Sequence, residues 1–410
     1  MPTGVPRWRH AAQDRGHPLA RSVAVAAAAV VGFVVVFAQA SLGTVTGAMD
    51  SKDIGSLVSH TPDTPEPAAE SGEPLNILLL GSDVRSGANA AIGGDVTDGM
   101  RSDVTVIAHI SGDRSRVDLI SIPRDLQVEI PDCTLFDGTV VDGGFGDFNA
   151  AFANGGRDGD PAEAAACTIN TIHSVMDIRI DHFAVVDFTG FVAMVDALDG
   201  IPMCVPERIV SKKSNLDLEP GPKIFDGITA LNWARLRTAE VGNISGSDLQ
   251  RIERQQQLLA VTFRTAAAKN LFTDAAQLAA FIRAGAESLT TDAELGSATT
   301  LAGLGLSLRG LSIDDVTFAT IPWQYTADRL DVVMTDDAET MLDDLRHDRE
   351  LSVDAQGDAT SAWDDGMAHT TPTPTPATSA DAPSSSADDG TEGSAGEQEA
   401  VEDILAECTA

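Results

Sequence analysis

Seven arginines lie in short motifs of a chain whose formal net charge is -35. Arg85 follows the apolar run NILLLGSD, Arg101 opens RSDVTVIAHI, and Arg124 closes the strand-like VDLISIPRD. Arg235 and Arg237 end DGITALNWARLR, and Arg251 and Arg254 lie in SDLQRIERQQ. Seven of the 27 basic residues grouped in this way point to one concentrated anion. Guanidinium forks match phosphate oxygens two at a time and stay charged when partly desolvated. The alternative is a set of surface bridges to nearby acids, which are common and individually weak. Placement at strand ends and along one helix favours the anion. Asp83, Asp103, Asp125 and Asp248 share the same motifs. Mg2+ is a hard ion that takes oxygen ligands, often one or two carboxylates plus substrate phosphates. Paired Asp beside an arginine cluster therefore predicts a magnesium–pyrophosphate site. The simpler role for each Asp is to neutralise an arginine.

No Ser-His-Asp or Cys-His arrangement competes with this reading. His109, His173, His182 and His347 fall in apolar strand or helix patterns and are expected to be structural.

Several elements must position these groups. Apolar, β-branched runs predict strands at 75–80, 104–110, 117–122, 182–186, 201–205 and 316–321. Helical patterns lie at 161–175, 188–198, 228–234, 249–269, 273–286, 293–306 and 336–347. Continuous apolar strands are usually covered on both faces, so interleaved helices predict a helix–sheet–helix sandwich. Asp83 and Arg85 then emerge at the C-terminal edge of a buried strand, the edge where ligands bind in open α/β sheets. Pro123 stops another strand so that Arg124 and Asp125 project beyond it. Gly, Ser, Pro and Asp are also plain turn formers, but turn chemistry does not explain the arginines. In the 249–269 helix Asp248 is a simple N-cap. Arg251 and Gln255 stand one turn apart, sharing a face beside the apolar stripe of Ile252, Leu259 and Phe263.

The termini bound the folded part. Residues 1–21 carry four arginines against Asp14, and 22–42 form an apolar segment just long enough to cross a bilayer. Basic residues ahead of it place the N-terminus in the cytoplasm and the body outside. A cleaved signal peptide is the competing reading, because Ala38-Gln39-Ala40 has the small-x-small form of a cleavage site; the uncleaved anchor is preferred. Residues 43–73 read as a stalk, and 74–347 as one large domain. The acidic Thr/Pro/Ser-rich tail, 348–410, is expected to be disordered: its residues 351–410 contain thirteen acids and no Lys or Arg. The four cysteines, Cys133, Cys167, Cys204 and Cys408, form no metal cluster. In an exported body they favour disulfides, with two of the first three paired and the tail cysteine closing on the third. Scarce lysine, plentiful arginine and abundant alanine suggest a high-GC bacterial source.

In order along the chain, NILLLGSDVR, RSDVTV, SIPRDLQVEIP, FNAAFANGG, DGITALNWARLR and SDLQRIERQQ resemble the signature of the LytR-CpsA-Psr family, in its actinobacterial form. The resemblance covers residues 74–270 closely and continues loosely to 347. It implies an α/β/α sandwich with a mixed central sheet and an apolar tunnel for a prenyl chain. It also implies a phosphotransferase that moves a glycopolymer from an undecaprenyl-pyrophosphate carrier to peptidoglycan, normally at the C6 hydroxyl of N-acetylmuramic acid, with Mg2+ at the pyrophosphate. Carried over by motif, the metal carboxylates are Asp83 and Asp103. The catalytic set is Arg124, Arg235, Arg237 and Arg251, with Asp248 as base or orienting acid. Arg85, Arg101, Arg254, Gln255 and Asp125 would hold the substrate. One departure stands out: where relatives commonly have a lysine, two residues before the Asn of FNAAF, this chain has Asp147.

Other function classes remain: a non-catalytic polyprenyl-phosphate binder, a membrane-bound transcriptional attenuator, or a pyrophosphatase passing the same phosphate to water. The strong negative charge is the wrong sign for nucleic acid, so the attenuator is disfavoured. A binder would need the arginines but no paired metal carboxylates.

Overall fold

The computed structural model describes residues 49–59, 72–83, 100–244, 254, 257–259, 261–262, 264–266, 269, 281, 283–308, 310–311, 315–327 and 331–352. The predicted anchor, most of the acidic tail and Cys408 lie outside these residues. Among the described residues no helix is long and apolar enough to cross a membrane.

A seven-stranded sheet organises the chain. In sequence order its strands are β1 (Asp50–Lys52), β2 (Leu75–Ser82), β3 (Ser102–Ile110), β4 (Val117–Ser121), β5 (His182–Val186), β6 (Leu289–Asp292) and β7 (Val316–Thr320). In space they run β1-β6-β5-β2-β3-β4-β7. The pairs β1/β6, β2/β5 and β4/β7 are parallel, and β5/β6, β2/β3 and β3/β4 are antiparallel. Among the described residues the principal helices are α1 (Asn149–Gly155), α2 (Pro161–Met176), α3 (Phe188–Ala197), α4 (Gly227–Ala234), α5 (Ala298–Ser307) and α6 (Asp336–Arg346).

Strand alternation divides the apolar side chains between two faces. Leu78, Leu80, Ile107, Ile120 and Phe183 pack with Phe152 of α1, Ile169 and Ile172 of α2, and Met341 and Leu345 of α6. On the opposite face Leu75, Ile77, Ala108, Ile110 and Ala184 meet Leu301 and Leu304 of α5. The result is the expected α/β/α arrangement with a mixed sheet. A separate cluster joins α3 and α4 to the two-stranded ribbon of Ile201–Val205 and Gly221–Phe225. The predicted 201–205 strand thus exists outside the main sheet.

Both ends of the folded part differ from expectation. Within the expected stalk, β1 pairs with β6, and Ile54 and Leu57 are buried in the main core. Proline-rich, acidic composition averaged over 43–73 hides these few apolar anchors. At the other end the fold continues past His347: Asp348 binds the sheet and Leu351 is 4% exposed within the main core. Helix α5 begins five residues later than predicted. Asp292 first accepts the N–H groups of Glu294 and Leu295, and Ser297 then caps the helix by accepting from Thr300 N.

Cys133 and Cys167 form a disulfide across a Cα separation of 5.5 Å, tying the Cys133–Thr134 strand to α2. Cys204 is also disulfide-bonded.

Two buried histidines tilt stability with pH in opposite directions. Burial disfavours the His182 cation, but its hydrogen bond to Asp292 and the nearby carboxylates of Asp181 and Glu294 outweigh that and raise its pKa. A raised folded pKa gives stability that is present below the unfolded value and lost as pH rises through the folded one. Burial dominates at His109 and lowers its pKa, against the pull of Asp348 and Asp118 and together with Arg116. That histidine must charge on unfolding, so it removes stability as pH falls below its unfolded value. His182→Gln is expected to flatten the alkaline fall in melting temperature above about pH 6.5, because it removes the stability that the charged His182–Asp292 pair contributes below that pH. Melting curves at stepped pH decide this. Parallel profiles for variant and parent would refute it.

Candidate active site

The site begins where β2 runs out. Gly81 sits so close to β3 that an added Cβ would lie 3.3 Å from Val104 Cβ. Pairing then shifts from Gly81↔Val104 to Ser82↔Ser102, leaving Asp103 as the extra residue of a bulge. Bulges re-aim side chains at strand ends. Beyond the bulge Asp83 N donates to Arg101 O at 2.9 Å, and Arg101 N donates to Asp83 Oδ1 at 2.7 Å. The two predicted metal carboxylates and Arg101 therefore meet at one sheet edge.

Arg124 comes to the same edge from β4. Ile122 N is taken by Thr105 O, buried Pro123 ends the ladder, and the chain turns. The guanidinium is half-buried and held on two sides: Nη1 donates to Asp103 Oδ1 at 2.7 Å and Nε to Asp125 Oδ2 at 3.1 Å. Its backbone is fixed as well, because Asn149 N donates to Arg124 O and Phe148 N to Leu126 O. The start of α1 is thereby pinned to the Pro-Arg-Asp turn.

Arg101, Arg124, Asp125, Asp147, Asn149, Ala150, Ala153 and Arg237 line a cavity of about 380 Å3. That lies within the range of small-ligand sites, roughly 300–1,000 Å3. Three guanidiniums outnumber two carboxylates, so the cavity is net positive in a strongly negative chain. Small residues of α1 leave the room. No described histidine lines it.

Arg237 arrives from the end of α4. Asp226 caps that helix by accepting from Thr229 N at 2.7 Å, and Arg235 forms its C-cap. The next residue, Leu236, is fully buried, and its carbonyl accepts from Arg254 Nη2 at 2.5 Å. Arg254, expected to hold substrate, is 7% exposed and anchors the segment between Arg235 and Arg237 from within. Its motif identified a conspicuous arginine but not the direction it faces. Arg235 sits over the Phe188 ring, 4.7 Å from the centroid, and is not among the cavity-lining residues. Arg85, Asp248, Arg251 and Gln255 lie outside the described residues.

Asp147 is on the cavity wall, where its Oδ1 accepts from the side-chain amide of Gln127. Sequence reasoning noted Asp147 only as a departure and missed Gln127. Their cross-strand pairing could not be read from a four-residue ribbon strand.

The model of the LytR_cpsA_psr family matches residues 39–347. The chain is 31% identical over 250 residues to a probable cell wall biosynthesis protein, LcpB, of Corynebacterium glutamicum, covering 59% of this chain and 51% of that one. It is 27% identical over 267 residues to the polyisoprenyl-teichoic acid–peptidoglycan teichoic acid transferase TagU of Halalkalibacterium halodurans, covering 62% and 76%. Against LcpB the match spans about half of the relative's length. Among solved structures, a LytR-Csp2A-Psr enzyme from Actinomyces oris superposes with a TM-score of 0.50 at 20% identity, over 72% of this chain and 96% of that one. The protein gbs0355 of Streptococcus agalactiae gives 0.53 at 18% identity, over 71% and 93%. At these identities the structural likeness is one of fold.

Proposed function

The chain belongs to the LytR_cpsA_psr family, and on that premise we propose that it is a phosphotransferase of the cell envelope. It moves a glycopolymer phosphate from an undecaprenyl-pyrophosphate carrier to a hydroxyl of peptidoglycan. One observation carries this reading: Arg124 is clamped between Asp103 and Asp125 in a cavity that Arg101 and Arg237 also line. Guanidiniums fixed before substrate arrives stabilise developing charge without reorganising during the reaction. The acceptor hydroxyl oxygen attacks the phosphorus that bears the glycopolymer and forms a new P–O bond, while its proton passes to a base, the role the family resemblance gives Asp248. The bond to the bridging oxygen breaks, and polyprenyl phosphate leaves with the electron pair. Arg101, Arg124 and Arg237 neutralise the phosphate oxygens; such transfers need positioning and charge more than a covalent intermediate.

Asp83 and Asp103 fit Mg2+ in type and place, being carboxylates on neighbouring strand ends joined through the Arg101 backbone. No group of three or more His, Cys, Asp or Glu suited to a metal occurs among the described residues. A two-carboxylate site completed by substrate oxygens and water is a common arrangement for this ion. When bound, Mg2+ would supply further charge neutralisation at the pyrophosphate. Asp83→Asn and Asp103→Asn are expected to raise the Mg2+ concentration needed for half-maximal activity by about tenfold or more, since even outer partners of a metal act on that scale. Bound lipid should be retained. Titrating Mg2+ with each variant tests this, and an unchanged requirement in both returns the two carboxylates to a salt-bridge role.

Leu79 supports a prenyl site. It lies mid-strand in β2 yet is 36% exposed, on the face opposite α2, where an apolar chain would bury it. The N-terminal segment would anchor the enzyme, with the folded body outside the membrane. The deciding experiment incubates full-length protein in detergent with a polyprenyl-pyrophosphate oligosaccharide and a peptidoglycan glycan. Sugar phosphate linked to the glycan is the expected product. Release of free sugar phosphate alone would mean a pyrophosphatase, and retention of intact lipid a binder.

A further inference from the structure

Resting on the transferase reading, we infer that the outer face of the ribbon formed by Gln127–Ile130 and Gly144–Asp147 binds the acceptor glycan, with Phe145 stacking on a sugar ring and Asp147 accepting a hydrogen bond from its hydroxyl. The register pairs Gln127 with Asp147 and Glu129 with Phe145. Successive side chains of a strand point to opposite faces, and directly paired residues share one. Val128 and Ile130 are buried in the core, so Gln127, Glu129, Phe145 and Asp147 all occupy the outer face. The bond from the Gln127 side chain to Asp147 agrees.

Phe145 is 72% exposed, the most exposed large apolar side chain among the described residues. A phenyl ring this exposed is covered little by its own chain and is costly to leave in water. Its π-face suits the polarised C–H edge of a pyranose. Two residues along a strand span about 7 Å, roughly the width of one sugar ring. A ring on Phe145 therefore brings a hydroxyl to Asp147, which itself borders the cavity of Arg101, Arg124 and Arg237. This outer face carries two carboxylates and no lysine or arginine. It suits a hydroxyl-rich ligand with little negative charge and disfavours the pyrophosphate donor. Donor and acceptor would thus be sorted by charge, the phosphate to the arginines and the sugar to the ribbon.

The test uses the full-length protein. Phe145→Ala is expected to raise the KM for a soluble peptidoglycan glycan oligosaccharide about tenfold, the factor for one lost aromatic contact. The KM for the lipid donor should not move. Phe145→Trp should restore acceptor binding, and Phe136→Ala, at another exposed phenyl group, should change neither constant. Asp147→Asn should also raise the acceptor KM. Melting curves check that each variant is folded. Direct titration of the oligosaccharide by calorimetry keeps the inference separable from the transferase reading: loss of binding in Phe145→Ala supports the platform even if no transfer occurs. Unchanged oligosaccharide affinity, or a shift in the donor KM instead of the acceptor KM, overturns it.

Discussion

Arg124→Ala is expected to lower transfer by about 10²–10³-fold, the scale at which removing one preorganised electrostatic donor acts in other active sites. An ordinary exposed ion pair contributes about 0–1 kcal/mol to stability and nothing to a reaction, so the size of the effect separates the two roles. The geometry favours the larger one. Asp103 and Asp125 hold the guanidinium from two sides, and Asn149 fixes its backbone. Removing the guanidinium leaves both carboxylates without this partner, but their side chains retain 31% and 18% exposure and remain partly hydrated. The stability loss should therefore stay at about 1–2 kcal/mol, visible in a urea melt but too small to unfold the protein. Arg124→Lys keeps the charge and loses the planar fork, so it should recover stability better than rate. Transfer within a factor of about three of the parent by Arg124→Ala, at a scale well below that of a lost donor, would remove Arg124 from the site.

How far the site was legible depends on what each signal encodes. Asp83, Arg101 and Arg124 could be found because long apolar strands advertise their own ends, and charged residues placed just past them have few other purposes. The helices α2, α3 and α6 were readable from length and periodicity, and α2 adds a cap: Pro161 at its first turn and Asp160 accepting from Ala162 N. Short elements carry too few residues for a period to register. Thus β1, β6 and α1 were missed, although β1 extends the sheet and α1 forms one wall of the cavity. Direction is the second gap. Arg254 and Arg237 look equivalent in sequence, and only tertiary packing sends one into the core and the other to the cavity. The roles assigned to the arginines came from the family resemblance. Residue types alone indicated an anion and a hard metal, but not which phosphate is broken.

Deleting residues 348–352 is expected to destabilise the domain by about 4 kcal/mol or more, from one core leucine and one partly buried charge network. Asp348 closes the fold on the β3–β4 hairpin. Its Oδ1 meets His109 Nε2 and Arg116 Nη2, each at 3.1 Å, and its Oδ2 accepts Gly112 N at 2.9 Å. Behind it, His109 and Asp118 are fully buried, Arg116 Nε donates to Asp118 at 2.8 Å, and Asn76 binds the other nitrogen of His109 at 2.7 Å. Losing Asp348 leaves His109 Nε2 without its carboxylate partner and Arg116 with Asp118 alone. Leu351 adds its own apolar contacts, and a buried leucine removed without repacking costs about 2–5 kcal/mol. The measurement compares truncation after Ser352 with truncation after His347. Both lack everything beyond residue 352, so the difference isolates these five residues. A fall in melting temperature of about 10 °C or more is expected for a domain of this size. Asp348→Asn in the longer form should account for part of it, since the amide keeps the shape and loses the charge. Equal melting of the two truncations would mean that the hairpin and α6 hold the sheet edge without this strap.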